Sequence, residues 1–144
     1  MAAVFIDANV VVYANSATAD PAAKRACMGI LEAIASGALA GRMSVAALEE
    51  VWHLELRGRP RGLDGTAADA CVLFMPLLPV TDEIVRHALR LDAGRLGSND
   101  RIHASTCRAN EIEVIVSADS DFDHVGWLRR IDPLDRRAVA DLLR

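Results

Sequence analysis

Carboxylates occur at four places in this chain where they follow an apolar run or lie in a helical pattern. Asp7 directly follows the apolar residues 4–6, and the pair Glu49–Glu50 lies in an amphipathic stretch. Asp100 follows a polar turn, and Asp119 follows a second apolar run. A carboxylate at the end of a buried strand is costly unless it is paired or binds a cation. Asp7 is therefore the point on which we expect the other acids to converge.

Each of the other acidic places also has a simpler explanation. Asp100 could complement a helix dipole, Glu49 and Glu50 could be solvated, and Asp119 and Asp121 could be turn formers. Together, however, strand ends and helix starts share one edge of a parallel sheet. Carboxylates in one cleft repel each other unless cations hold them, and oxygen ligands favour Mg²⁺ or Mn²⁺. No catalytic role is assigned to the scattered histidines, His53, His87, His103 and His124.

The elements that must position these acids alternate between strand and helix patterns. Strands are predicted at residues 4–6, 41–43, 77–80, 113–117 and 128–131. A short helical turn is predicted at 10–14, followed by helices at about 21–36, 44–57, 64–75, 81–94, 100–109 and 133–144. This alternation predicts an α/β fold with a central parallel sheet of four to five strands and helices on both faces.

Length and composition restrict the class of protein further. The 144 residues fit one domain, and the formal net charge of −4 argues against a chain that coats itself in nucleic acid. No apolar run reaches the roughly 18 residues of a membrane span, and no leader pattern precedes Asp7. The three widely spaced cysteines suit free thiols in a reducing compartment, so we expect a cytoplasmic protein.

Four motifs, in order, resemble those of PIN-domain nucleases. The first is Val-Phe-Ile-Asp-Ala-Asn-Val around Asp7, and the second is a helix in which Glu50 follows Ser44 by six residues. The third is Ser-Asn-Asp-Arg-Ile-His-Ala around Asp100, and the fourth is a strand that leads into Ser-Ala-Asp at Asp119. Together these motifs extend over essentially the whole chain, which looks like a single PIN-like domain of the VapC toxin type.

This resemblance implies a Mg²⁺- or Mn²⁺-dependent endoribonuclease, usually homodimeric, that is paired with a cognate antitoxin protein. The metal-binding and catalytic quartet would be Asp7, Glu50, Asp100 and Asp119. Asp121 would be an accessory metal-binding acid, and Asn9 and Ser117 would support the site by hydrogen bonds. Because Glu49 precedes Glu50, a shift of one residue in this assignment stays open.

Three alternatives remain. A haloacid-dehalogenase-type phosphatase needs a second acid where Asn9 stands and a lysine near the phosphate, and the only lysine is Lys24 in an early helix. A non-catalytic PIN scaffold would be expected to lack one acid of the quartet. A PIN nuclease that processes RNA without an antitoxin is compatible with every motif.

Two surfaces are candidates for binding macromolecules. The loop with Arg57, Arg59 and Arg61 could contact RNA phosphates, as could Arg101, although a solvated charged loop is an equal alternative. The predicted helices 44–57 and 64–75 could form an apolar groove for a partner helix. The side chains of this groove are Val45, Leu48, Trp52, Leu56, Val72, Leu73, Phe74 and Met75. The alternative is that they belong to the core or to a dimer interface.

Overall fold

The computed structural model describes residues 1–144, and its centre is a four-stranded sheet in which every pair of neighbours is parallel. The strands are β1 (Val4–Ile6), β2 (Gly41–Arg42), β3 (Val114–Val116) and β4 (Arg129–Ile131). Their spatial order is β2-β1-β3-β4, so β1 lies between β2 and β3. Phe5 pairs with Arg42 on one side and with Ile115 on the other.

Seven α-helices flank the sheet. They are α1 (Ala8–Asn15), α2 (Pro21–Ala35), α3 (Val45–Arg57), α4 (Thr66–Phe74), α5 (Asp82–Arg90), α6 (Ser98–Ala109) and α7 (Arg136–Leu142). A short 3-10 helix follows β3 at Ser120–His124. The predicted α/β architecture with a parallel sheet is therefore confirmed.

Side-chain caps determine where several helices begin. Asp20 accepts a hydrogen bond from the Ala23 amide at 3.1 Å, and Pro21 occupies the first helical position of α2. Ser44 caps α3 by accepting from the Ala47 amide at 3.1 Å. The predicted starts of both helices are confirmed. The sequence could predict them because each cap joins residues only three positions apart.

The predicted strand at 77–80 is wrong. Only Leu78 pairs, in an isolated parallel bridge with Ser44. The ladder cannot extend before Leu78 because Pro76 has no amide hydrogen to donate. It cannot extend after Leu78 because the partner segment enters α3 at Val45. The sheet consequently has four strands, the lower end of the predicted range.

Several predicted boundaries also move. The turn predicted at 10–14 is the full helix α1, which begins directly after Asp7 because that side chain caps it. Helix α4 begins after Gly65, whose φ of 80° is left-handed and interrupts the helix predicted from residue 64. Helix α5 ends at Arg90. Helix α7 begins after Asp135, because Asp132 caps a separate turn by accepting from the Leu134 amide.

The core is one cluster of 29 buried residues in which the strands supply the central layer. Phe5, Ile6 and Ile115 are fully buried, which explains why short strands suffice to hold the sheet between its helices. Apolar burial of this kind contributes about 25 cal/mol per Å². No helix is both long and apolar enough to cross a membrane.

The arginine loop after α3 is fixed at one end. Gly62 has a φ of 97°, and a Cβ at this position would approach the Ala17 amide nitrogen to 2.8 Å and the Asn15 carbonyl oxygen to 2.9 Å. Only glycine fits this close packing against the end of α1. The three arginine side chains of residues 57–61 are exposed.

An exposed apolar surface, here called the α3–α4 patch, covers the neighbouring faces of these two helices. It consists of Val45, Trp52, Leu56, Val72 and Met75, which are between 45% and 76% exposed. Phe74 was predicted to belong to this groove, but it is 2% exposed and part of the core. Its neighbours at 72 and 75 point outward because residues this close along a helix occupy different faces.

Candidate metal centre

A cavity of about 620 Å³ opens at the carboxyl edge of the sheet, above β1 and β3. Its polar lining consists of Asp7, Asn9, Tyr13, Glu49, Glu50, His53, Asn99, Asp100 and Asp119. All four acids of the predicted quartet are therefore brought together. No lysine or arginine lines the cavity, so protein cations do not neutralise these carboxylates.

Asp7 is the most deeply buried acid of this group, at 4% exposed. Its Oδ1 accepts a 2.7 Å hydrogen bond from the Ala8 amide, and its Oδ2 accepts a 2.6 Å hydrogen bond from the Ser117 hydroxyl. The Asn9 side-chain amide donates to Oδ2 at 3.2 Å. Burial raises the pKa of Asp7, although His103 and the Ser117 hydroxyl oppose the rise.

Asn9 and Ser117 form a bridge between α1 and the end of β3. The Asn9 side-chain amide donates to the Ser117 hydroxyl at 3.2 Å, and that hydroxyl also accepts from the Asp119 amide at 3.0 Å. Since Ser117 donates to Asp7, one hydroxyl links the Asp7 carboxylate to the Asp119 backbone. Asn9 and Ser117 therefore make hydrogen bonds to Asp7, and their predicted role in supporting a metal site stays a prediction.

Glu49 and Glu50 both line the cavity but differ in environment. Glu49 is exposed, whereas the Glu50 side chain is 21% exposed and its Oε1 lies 3.3 Å from the Nε2 of His103. The helical pattern alone could not separate these neighbours. The packing of α3 against α6 directs Glu50 inward, towards Asp7.

Asp100 stands in the first turn of α6 and shares the cavity with Asp7 and Asp119. Its burial, followed by repulsion from Asp7 and interaction with Asp119, raises the pKa of Asp100 to about 7. A carboxyl group in this state is poised to exchange its proton for a cation near neutral pH.

His103 is the functional candidate that the sequence analysis missed. Its ring is fully buried, and its Nε2 lies 3.3 Å from Glu50 Oε1 and 4.0 Å from Asp7 Oδ1. Burial opposes a charge on the ring, but the surrounding carboxylates outweigh it and raise the pKa of His103. Its spacing of three residues from Asp100 places both on one face of α6, a signal that could have identified it.

Two residues, predicted to bind metal and RNA respectively, make other contacts in the structure. Asp121 does not line the cavity, and its backbone amide instead donates to Asp119 Oδ1 at 2.9 Å. The Arg101 guanidinium donates to the carbonyl oxygens of Leu96 at 2.7 Å, Gly94 at 3.0 Å and Leu91. Because its donors hold the loop before α6, Arg101 is not carried into the proposed RNA surface.

The donor chemistry of the cavity fits a divalent cation. Asp7, Glu50 and His103 each present one ligating atom within 4.8 Å of the others, and Asp100 and Asp119 add further carboxylate oxygens. Oxygen-rich sites of this kind suit Mg²⁺ or Mn²⁺. A cation would also offset the repulsion that raises the pKa of Asp100.

A parallel sheet with acids gathered at its carboxyl edge is typical of α/β proteins that bind a ligand at that edge. Sequence comparison identifies the family. Residues 4–128 match the family model of the PIN domain, so this chain belongs to the PIN domain family. A search of curated protein sequences finds no significant match.

Solved structures share the fold at low sequence identity. Mycobacterium tuberculosis VapC20, described as a sarcin–ricin loop cleaving toxin, is 18% identical with a TM-score of 0.67, over 85% of this chain and 95% of that one. VapBC2 from Rickettsia felis, bound to a DNA fragment from its promoter, is 16% identical with a TM-score of 0.66, over 90% and 97%. FitAcB from Neisseria gonorrhoeae is 12% identical with a TM-score of 0.66, over 92% and 99%.

Proposed function

We propose that this protein is a Mg²⁺- or Mn²⁺-dependent endoribonuclease that acts as the toxin of a toxin–antitoxin pair. The observation that carries the proposal is the convergence of Asp7, Glu50, Asp100 and Asp119 on a cavity without lysine or arginine. Membership of the PIN family supports phosphodiester hydrolysis, and the fold shared with VapC toxins supports RNA as the substrate.

The residues of the cavity would have different roles in hydrolysis. Asp7, Glu50, Asp100 and Asp119 would hold a divalent cation, which when bound supplies an activated water and stabilises charge on the phosphate. The Ser117 hydroxyl would keep Asp7 and the Asp119 backbone in register through its 2.6 Å and 3.0 Å hydrogen bonds.

The activity is tested on purified protein with a structured RNA substrate. Cleavage should require Mg²⁺ or Mn²⁺ and stop in EDTA. Glu50→Gln should reduce cleavage by orders of magnitude, whereas Glu49→Gln should retain most of it because Glu49 is exposed and has no buried partner. Full cleavage in EDTA would refute the metal-dependent mechanism, and the reverse result for the two variants would move the ligand to Glu49.

The α3–α4 patch is the proposed docking surface for an antitoxin. Five apolar side chains are exposed there, including Trp52 at 54% and Leu56 at 72%. Exposed apolar areas of this kind mark protein interaction sites, and two adjacent helices suit an amphipathic partner helix. The solved structures of VapBC2 bound to a promoter DNA fragment and of FitAB bound to a DNA fragment support a protein partner for this chain as well.

The protein itself is proposed to be a homodimer. A second apolar surface lies on α5, where Leu89 is 80% and Val85 is 37% exposed. These side chains lie on a different helix from the α3–α4 patch, so a second copy and an antitoxin would contact different residues. Equilibrium sedimentation of the purified chain tests the dimer, and a monomer at micromolar concentration would exclude it.

The toxin role has its own test. The product of the adjacent small gene should co-purify with this chain and suppress its metal-dependent cleavage. A complex that retains full nuclease activity, or no complex at all, would leave a PIN nuclease that processes RNA without an antitoxin.

A further inference from the structure

The buried ring of His103 has no role in the site as described so far. Neither ring nitrogen has a well-aligned hydrogen-bond partner, although the whole side chain is shielded from solvent. A buried polar group without a partner is destabilising, so its presence needs a compensating interaction. The nearest candidate is Glu50 Oε1, at 3.3 Å from Nε2.

His103 lies behind the carboxylates rather than in the cavity. It is absent from the cavity lining, and its side-chain exposure is 0%, against 21% for Glu50 and 6% for Asp7. The ring also packs against Phe5, with 5.4 Å between ring centroids, which anchors it on the central strand. A cation entering from solvent would therefore meet the carboxylates first.

The two acids near His103 differ in how they are supported. Asp7 already accepts hydrogen bonds from the Ala8 amide, the Ser117 hydroxyl and the Asn9 side chain. Glu50 accepts none from the protein, and its longer side chain has more torsional freedom. A small rotation of Glu50 would align its Oε1 with Nε2, which is the only Lys, Arg or His nitrogen within 4.0 Å of that carboxylate.

We propose that His103 is a positioning residue that holds the Glu50 carboxylate towards the metal centre by donating a hydrogen bond from Nε2. This inference rests on the proposed function only in taking Glu50 as a metal ligand. The Phe5 ring fixes the imidazole, the imidazole orients Glu50, and the other oxygen of Glu50 remains free to face the cavity. Partners of this kind behind a metal ligand typically change metal affinity by about 10–100-fold.

The test is a double-mutant cycle read by Mn²⁺ binding to the metal-free, full-length protein, which does not depend on RNA cleavage. His103→Leu removes the donor at similar volume, and His103→Gln retains an amide donor near the position of Nε2. Each substitution is also made in a Glu50→Ala background, in which a residue acting through Glu50 has nothing left to orient.

The expected result is a loss of at least about tenfold in Mn²⁺ affinity for His103→Leu and substantial recovery for His103→Gln. In the Glu50→Ala background, neither substitution should change the remaining affinity. An equal loss in both backgrounds would overturn the proposal and make His103 a direct ligand. Unchanged affinity in a folded His103→Leu variant, or no Mn²⁺ binding by the wild type, would also overturn it.

Two further outcomes distinguish a variant that fails to fold, and a failure of the nuclease proposal, from a failure of the role proposed for His103. If His103→Leu does not fold, His103→Gln decides: wild-type affinity supports the proposal, and a tenfold loss without a change in melting temperature overturns it. If the binding cycle behaves as expected but no RNA is cleaved, the nuclease proposal fails and the role of His103 stands.

Discussion

Neutralising Asp100 is expected to stabilise the metal-free fold but to weaken metal binding. Burial, then repulsion from Asp7 and interaction with Asp119, raises the pKa of Asp100 from 3.8 to about 7. Ionisation of Asp100 is therefore unfavourable in the metal-free fold, and His103 offsets only part of this cost. Asp100→Asn removes this charge while nearly preserving the shape of the side chain.

The magnitude follows from linkage between protonation and folding. At about 1.4 kcal/mol per pKa unit, the rise corresponds to about 4 kcal/mol, and screening of a partly exposed carboxylate reduces it to about 2 kcal/mol. Because the folded-state pKa is raised, the stabilising contribution of the protonated form is complete below pH 3.8 and is lost as pH rises through about 7. The cost of Asp100 is consequently largest above neutral pH.

The assay is thermal and urea unfolding of metal-free protein at about pH 8 and about pH 4. At the higher pH, Asp100→Asn should be more stable than the wild type by about 2 kcal/mol, or roughly 5–8 °C in melting temperature. At the lower pH the difference should shrink to about 0.5 kcal/mol. Saturating Mn²⁺ should stabilise the wild type by about 2.7 kcal/mol at 100-fold excess over Kd, and it should not stabilise the variant.

The matched control is Asp69→Asn, which removes an exposed acid from the first turn of α4. It should show no such stabilisation at either pH. The reasoning is refuted if Asp100→Asn is no more stable than the wild type at the higher pH, or if its advantage is the same at both.

Three further predictions concern the supporting residue and the two proposed surfaces. Ser117→Ala removes the hydroxyl that donates to Asp7 at 2.6 Å, so calorimetric Mn²⁺ affinity should fall about 10–100-fold, and unchanged affinity would exclude this role. Alanine at all three exposed arginines of the 57–61 loop should weaken RNA binding and reduce the log–log salt slope by about one unit per lost contact. An unchanged salt slope would indicate that the loop does not contact RNA phosphates. Trp52→Ala should weaken antitoxin binding by at least about 30-fold without lowering the melting temperature. The control Leu89→Ala, at a residue that is also exposed but lies on α5, should leave antitoxin affinity unaltered.

Short-range patterns in the sequence were enough to predict much of the fold. The apolar run that ends at Asp7 predicts β1, and the caps Asp20 and Ser44 predict the starts of α2 and α3, because a side chain and an amide three residues away meet without tertiary help. The order and spacing of Asp7, Glu50, Asp100 and Asp119 likewise predict that these acids converge, since parallel strands end at one edge.

Other features depended on the conformation and packing of loops and helices, which the sequence pattern did not predict. Leu78 forms one bridge instead of a strand because Pro76 cannot donate and the partner segment enters α3 at Val45. Phe74 joins the core because of how α4 packs. The Arg101 side chain is occupied by carbonyl oxygens of the 91–97 loop, which no local pattern specifies.

The sequence by itself indicated that acids from four places in the chain meet, and the tertiary structure decided which of them are buried in the site and how they are held. His103 lies 3.3 Å from Glu50, although 53 residues separate them in the chain, and only the packing of α3 against α6 creates this contact. The same packing distinguishes Glu50 from Glu49, which the helical pattern leaves equivalent. The physical reason is that spacing along a chain fixes which face of an element a residue occupies, whereas burial and partners depend on what the rest of the fold places against that face.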